Sequence, residues 1–282
     1  MIKMAALFFF TAALYAAVGF GGGSTYSALL VLINTDYLIL PSIALICNVI
    51  VVTGGTWRFH TQGYIAWRQV WPLFVISVPF AWLGGRIHIN ENLFVLLLGS
   101  ALLLAGLMLL LQSMSSQNSI EAEGSLSAEG SLSAEGSLLA EGSLLAEGST
   151  KHKKESGRYM PFIGSGLGFL SGIVGIGGGI FLAPILHLIN WGRAKAIAGV
   201  CSAFILVNSL AGLLGQLSKL QSNHQASALL EYWPLFIAVL IGGQIGSVLG
   251  STWLNPKWVR IMTALLILFV AVRLLLRSVS SL

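Results

Sequence analysis

The chain has 282 residues, 56% of them hydrophobic and only 9% charged, with a formal net charge of +5. Soluble domains carry roughly 25% charged residues, so this composition excludes a soluble globular domain and points to an integral membrane protein. Seven of the ten acids, from Glu121 to Glu155, crowd into one central stretch, and outside residues 112–158 only Asp36, Glu91 and Glu231 stand against eleven Lys and Arg. That excess of positive charge suits anionic lipid head groups, and it also suits an anionic substrate.

A membrane span needs about 20 mostly apolar residues. The first candidate, residues 2–33, begins MIKMAALFFFTAALYAAVGF and is interrupted by GFGGGS at 19–24. Its opening looks like a signal peptide, yet it reads as a retained membrane segment, because a matching stretch recurs mid-chain where no signal can act. Residues 38–55, 70–87 and 93–111 are the next three candidates. From Ala122 the chain then runs through a hexapeptide repeat, AEGSLS and variants, into KHKKESGR at 151–158. This acidic, Ser- and Gly-rich tract has too little apolar surface to offset its ordering entropy, and residues 112–158 are expected to form a flexible linker.

The second half repeats the order. Residues 159–190 are interrupted by GIGGGI at 175–180, and 196–215, 232–250 and 258–277 follow. GFGGGSTYSALLVLIN matches GIGGGIFLAPILHLIN at a shift of 156, ALICN lies against AGVCS at 154, and WPLF recurs at 162. Three blocks in the same order indicate duplication. The expected fold is therefore an all-α polytopic membrane protein of about eight transmembrane segments. It comprises two repeats of four segments, 1–111 and 159–282, each with a first segment broken at its glycine run. With four crossings per half, both termini and the linker fall on one face, carrying ten Lys and Arg against five (Arg86, Arg193, Lys195, Lys257 and Arg260) on the other. The excess of positive charge makes that face cytoplasmic. A rival count, with five traversals per half and inverted repeats, stays open at this point.

Clustered glycines in an apolar helix ask for an explanation. Unpaired backbone cannot face lipid, so a break at membrane depth must be buried in protein or line a wet cavity. Beyond Gly23 and Gly179 a new helix can start, whose first N–H groups lack partners and carry the positive end of the dipole. Two such starts would make a donor-rich anion site near the midplane, built from Gly21, Gly22, Gly23, Ser24 and Thr25 in one half and Gly177, Gly178 and Gly179 in the other. Close helix packing is the alternative role for glycine. It is expected for Gly164, Gly168 and Gly172 and for Gly242, Gly246 and Gly250, all spaced four apart. Neither run is followed by Lys-Ser/Thr in a strand–helix setting, so neither is a nucleotide loop.

Further candidates are weaker. At a shift of 154, Cys47 lies opposite Cys201 and Asn48 opposite Ser202; the polar pair suits a substrate path, whereas cysteine in an apolar run is commonly a small buried hydrophobe. His187 is the one ionisable group well inside a predicted span, although a lone histidine is more often satisfied by its surroundings. No Asp or Glu falls within a predicted span, so a carboxylate proton relay is not visible. Asn34 reads as a turn at a span end.

The G-x-G-G-G breaks, Pro184 and AKAIAGVCSAFILVNSLAG, together with PSIALICNVIV and SVPFAWLGGRI in the first half, resemble the TauE/SafE family of sulfite exporters, also called four-toluene-sulfonate uptake permeases. The resemblance covers nearly all of the chain except the linker. It implies a secondary transporter of the bacterial inner membrane for sulfite, organosulfonates or a related small sulfur-containing or organic anion. Five scattered histidines and two distant cysteines do not make an enzyme active site. No catalytic residue, cofactor or metal site is expected, and no nucleic-acid partner. A non-transporting scaffold or partner subunit is the alternative, and a homo-oligomer is left open.

Overall fold

The computed structural model describes residues 2–18, 20–129, 160–189, 191–192, 194–222, 226–249 and 256–280, and all the regular structure among them is helical. The helices are α1 Ile2–Val18, α2 Gly23–Leu32, α3 Leu40–Thr61, α4 Trp67–Arg86 and α5 Glu91–Glu129. They continue with α6 Met160–Val174, then α7 Gly179–Leu188, α8 Ala194–Ser222, a 3-10 turn Ala226–Tyr232, α9 Trp233–Leu249 and α10 Pro256–Ser280. Four stretches are long and apolar enough to cross a membrane: Leu40–Thr61, Glu91–Met108, Lys195–Gln221 and Ser227–Ser247. Helix α5 runs on to Glu129, past the linker boundary expected at 112. The Ala, Glu and Leu of the first hexapeptides are good helix formers, and residues 130–158, the rest of the expected linker, lie outside the described residues. Asn34 turns the chain after α2 with φ 57, its N–H donating to the Val31 carbonyl at 2.9 Å.

The helices pack through glycine. A Cβ on Gly164, Gly168 or Gly172 of α6 would run into the backbone carbonyls of Leu73, Ser77 and Ala81 of α4. On α9, Gly242 and Gly246 meet the carbonyls of Phe9 and Ala13 of α1 in the same way. Without a hydrophobic drive between helices in lipid, such close backbone approach supplies the packing energy. Around these seams lie two buried clusters. One includes Phe8, Tyr26, Cys47, Phe94 and Val239, and the other includes Leu73, Leu182, Cys201 and Phe204. Leu104, Leu107, Ile241, Phe269 and other large side chains point outward, as suits a chain solvated by lipid.

The same contacts give the helix directions. Phe9 meets Gly242 and Ala13 meets Gly246, so α1 and α9 run parallel; Leu73, Ser77 and Ala81 meet Gly164, Gly168 and Gly172, so α4 and α6 do too. Helices α3 and α8 are antiparallel, with Leu45 at Gly212 and Phe59 at Gly199. Helices α5 and α10 are likewise antiparallel, through Gly99 at Leu275 and Gly106 at Leu268. Thus α1, α3, α5 and α9 point one way and α4, α6, α8 and α10 the other. Because α1 and α3 share a direction, α2 must return between them, and α7 returns between α6 and α8. Each return arm has ten residues, about 15 Å of helix, or half the hydrocarbon depth.

This overturns the expectation that the termini and the linker share a face. That expectation took each glycine-interrupted segment as one continuous crossing, whereas α1–α2 and α6–α7 fold back on themselves. The number of traversals per half is therefore odd. The end of α5 and the start of α6 lie on the face opposite the start of α1 and the end of α10.

The α4–α6 seam is open to a direct check. Gly172→Val places side-chain atoms against the Ala81 carbonyl, a backbone atom that cannot give way, and should cost about 1–3 kcal/mol. It should lower the thermal unfolding midpoint and the folded yield. Gly166→Ala on the same helix meets open space and should leave both unchanged or slightly raised.

Candidate functional site

Both return arms start from glycine in the left-handed region. Gly22 has φ 83 and precedes α2; Gly178 has φ 73 and precedes α7. Gly175 and Gly177 share this conformation, with φ 79 and 83, which only glycine adopts without strain. The two helix starts match bond for bond. Thr25 and Tyr26 N–H donate to the Gly22 carbonyl at 3.0 Å each, and Phe181 and Leu182 N–H donate to the Gly178 carbonyl at 3.2 Å each. Neither start is capped by the side chain that precedes it. The earliest N–H groups of both helices are thus without intrahelical partners, at the positive end of the dipole.

The two starts meet at one side chain. Asn48, fully buried on α3, lies against Gly23, sets its Oδ1 2.5 Å from where a Gly21 Cβ would stand, and sets its Nδ2 2.8 Å from that of Gly177. A Gly23 Cβ would also lie 2.7 Å from the Ile176 carbonyl of the other loop. Across from Asn48 stands Ile205 of α8, which packs on Gly21, Gly177 and Gly179. Asn48 and Ile205 therefore hold matching places in the two halves. The pairing of Asn48 with Ser202, drawn from ALICN against AGVCS, is shifted along the helix and is corrected here.

Ser202 lies elsewhere on the α3–α8 seam. Its Oγ is 2.9 Å from Thr56 Oγ1, a hydroxyl pair joining the halves, and it donates weakly to the Val52 carbonyl at 3.5 Å. Ser209, which sequence reasoning missed, stands in its stead, with its Oγ 3.2 Å from the Gly177 Cβ position. The signal was present in the spacing: Ile205, Ser209, Gly212 and Gln216 form one stripe of α8. Gln216 Nε2 donates to the carbonyl of Gly172 at 2.8 Å, holding the end of α6 where the loop departs.

The remaining candidates fall into place around this centre. Ser24 and Thr25 are buried, and Thr25 Oγ1 is 2.7 Å from Tyr15 Oη, tying α2 back to α1. Cys47 and Cys201 are free thiols in separate apolar clusters, packing as small hydrophobes. His187 lies at the far end of α7 from the glycine run. Among the described residues no three His, Cys, Asp or Glu gather as a metal site would require.

The chemistry of the centre is polar and neutral. Among the described residues, the groups nearest to Gly21–Gly23 and Gly177–Gly179 are amide, hydroxyl, phenol, backbone and hydrocarbon, and none of these is charged. Among the described residues, Asn48 Nδ2, Asn48 Oδ1, Ser209 Oγ, Ser171 Oγ and Asn208 Oδ1 are buried without a hydrogen-bond partner. Buried polar atoms are nearly always paired, so these unpaired ones call for a physical explanation.

Comparison with known proteins agrees with this architecture. The profile of the family described as "Sulfite exporter TauE/SafE" matches residues 4–274. The chain is 30% identical over 274 residues to the "Probable membrane transporter protein y4hK" of Sinorhizobium fredii, covering 97% of this chain and 98% of that one. No solved structure matches it. A profile spanning both hairpins and both sets of long helices leaves one assignment: the chain belongs to the TauE/SafE family of multi-pass membrane transporters.

Proposed function

We propose that the protein is a secondary transporter of a small anion, with sulfite or an organosulfonate as the substrate class that the family suggests. The anion binds where α2 and α7 begin. The observation that carries this reading is the convergence of both glycine-led helix starts on the buried, unpartnered amide of Asn48. Backbone N–H groups and the Asn48 Nδ2 offer donors without a fixed counter-charge, so an anion is held by dipoles and can still leave. Gly21, Gly22, Gly23, Ser24, Thr25, Asn48, Gly177, Gly178 and Gly179 form this site, joined by Ser209, while Ser202 serves the α3–α8 seam. Residues 1–111 and 159–282 act as two inverted repeats. This is supported by the reciprocal packing of α1 on α9 and α6 on α4, and by the matched helix starts at Gly22 and Gly178. Alternating access then follows from rocking of the hairpins about the shared α3–α8 seam.

The orientation follows from charge. By place in the chain, the face that carries the linker receives Arg58, Arg68, Arg193, Lys195, Lys257, Arg260 and the four Lys and Arg of residues 151–158. The other face receives Lys3, Arg86, Lys219, Arg273 and Arg277, with Asp36, Glu91 and Glu231. The excess of positive charge lies with the linker, which puts the linker in the cytoplasm and both termini outside.

Three measurements check these readings. In liposomes holding the purified protein, sulfite should flux faster than through empty vesicles, and taurine should compete more effectively than acetate. Equal flux in both preparations counts against the substrate class. Gly22→Leu and Gly178→Leu, at positive φ, should abolish flux with insertion intact. Ser202→Ala should retain most flux while losing about 1 kcal/mol of stability through its Thr56 partner. In intact cells with a permeabilised outer membrane, tags on either terminus should be cut by added protease and a tag in the linker protected. Protected termini would reverse the assignment.

A further inference from the structure

The unpartnered atoms at the centre are of two kinds, and an anion answers only one of them. An anion takes hydrogen bonds from the N–H groups of α2 and α7 and from Asn48 Nδ2. It cannot satisfy the amide oxygens of Asn48, Asn208 and Gln216, which accept and never donate, and all three are buried without a partner. With them are the unpaired hydroxyls of Ser171 and Ser209. All five side chains are at most 1% exposed.

Asn48 turns its Oδ1 toward Gly21, and the other four side chains belong to α6 and α8 beside the loop between α6 and α7. Ser209 Oγ stands 3.2 Å from the Gly177 Cβ position, and Ser171 Cβ 3.5 Å from that of Gly178. Asn208 donates its Nδ2 to the Phe204 carbonyl at 2.9 Å, which leaves its Oδ1 as the unpaired atom, one turn from the Phe204 ring that packs on Gly178. Helix α6 ends here, so its negative dipole end points into the same place. The carbonyls of Gly172 and Ile173 at that end share Gln216 Nε2, at 2.8 and 3.4 Å, which leaves Gln216 Oε1 unpaired.

The charge balance points the same way. An anion entering a centre whose nearest groups, among the described residues, are neutral carries an uncompensated charge into low dielectric. Asp36, Glu91 and Glu231, the acids outside the central tract, lie between helices or at helix ends, so none of them stands at the centre to bring a proton with it. Hard alkali cations take neutral oxygen ligands, and the carbonyl ends of interrupted helices are where transporters hold them.

We propose that the α6–α7 loop holds a monovalent alkali cation, Na+ in the first instance. Its ligands are the side-chain oxygens of Ser171, Asn208 and Ser209, and it is carried together with the anion bound at the starts of α2 and α7. This inference rests on the transporter reading for its coupling, although cation binding itself can be measured without any flux. Anion and cation then cross as a neutral pair, which removes the need for a charged side chain in the centre.

The test uses the full-length purified protein and NaCl titrated against choline chloride at constant ionic strength. Na+ should raise the thermal unfolding midpoint in a saturable way. Asn208→Ala and Ser209→Ala, each removing one ligand, should move half-saturation to roughly tenfold higher Na+, equivalent to about 1.4 kcal/mol. Ser218→Ala, on the exposed side of α8, should leave it unchanged. In liposomes, an inward Na+ gradient should drive sulfite accumulation that choline does not support. Sulfite flux that is indifferent to Na+, with no Na+-dependent shift in unfolding, overturns the cation site and leaves the transporter reading standing. Folded Asn208→Ala and Ser209→Ala proteins with the wild-type Na+ response overturn its location. Saturable Na+ stabilisation without sulfite flux supports the cation site and assigns the failure to the choice of anion.

Discussion

Backbone polarity in a medium without water is the constraint on which the rest of this structure depends. A helix that stops within the hydrocarbon leaves N–H and C=O groups that lipid cannot satisfy, each costing several kcal/mol. The chain stops two helices inside the packed protein, after Val18 and Val174, and both breaks are enclosed by protein. They are enclosed by each other. The loop at Ile176 sits against Gly23, and Asn48 reaches glycines of both loops. Neither half could enclose its own break, which is why the halves interleave rather than stand as separate bundles.

Interleaving in turn demands close helix contact. Each hairpin lies against the opposite half, α1 on α9 and α6 on α4, and in both cases glycines at every fourth residue bring backbone onto backbone. In lipid such contacts supply packing that hydrophobicity cannot. The α3–α8 seam is different at its two ends: a hydroxyl pair, Thr56 and Ser202, joins one, and Leu45 packs on Gly212 at the other. Separating the hydroxyls costs little because water replaces the lost bond, whereas separating the apolar end exposes hydrocarbon to water.

The centre departs from symmetry in its chemistry though not in its backbone. The helix starts at Gly22 and Gly178 superpose in their hydrogen bonds, yet Asn48 faces Ile205, and Ser24-Thr25 correspond to Ile180-Phe181. One half thus supplies Asn48, Ser24 and Thr25, and the other supplies the hydrocarbon of Ile205 together with the polar groups of Ser171, Asn208 and Ser209. An ion bound as proposed would meet two similar backbones and two unlike walls.

Much of this was legible in the sequence, because hydropathy, glycine clusters and four-residue spacing are local properties. Composition alone established a membrane protein. Gly164, Gly168 and Gly172 announced a packing stripe, and Asn34 a turn. Motifs such as GIGGGI were enough to recognise the family. What the tertiary structure alone decided is which surfaces meet and in which direction. An apolar helix of period 3.6 looks the same whether it runs up or down, so nothing in residues 2–33 distinguished one interrupted crossing from a hairpin; the contacts of Phe9 and Ala13 with α9 did. Register between helices was equally hidden. ALICN against AGVCS places Asn48 opposite Ser202, whereas packing around the glycine loops places it opposite Ile205, because the fit of side chains into Gly21 and Gly177 sets the register and a few shared letters do not. Ser209 escaped notice for the same reason: a hydroxyl in an apolar helix signals function only once the loop it faces is known.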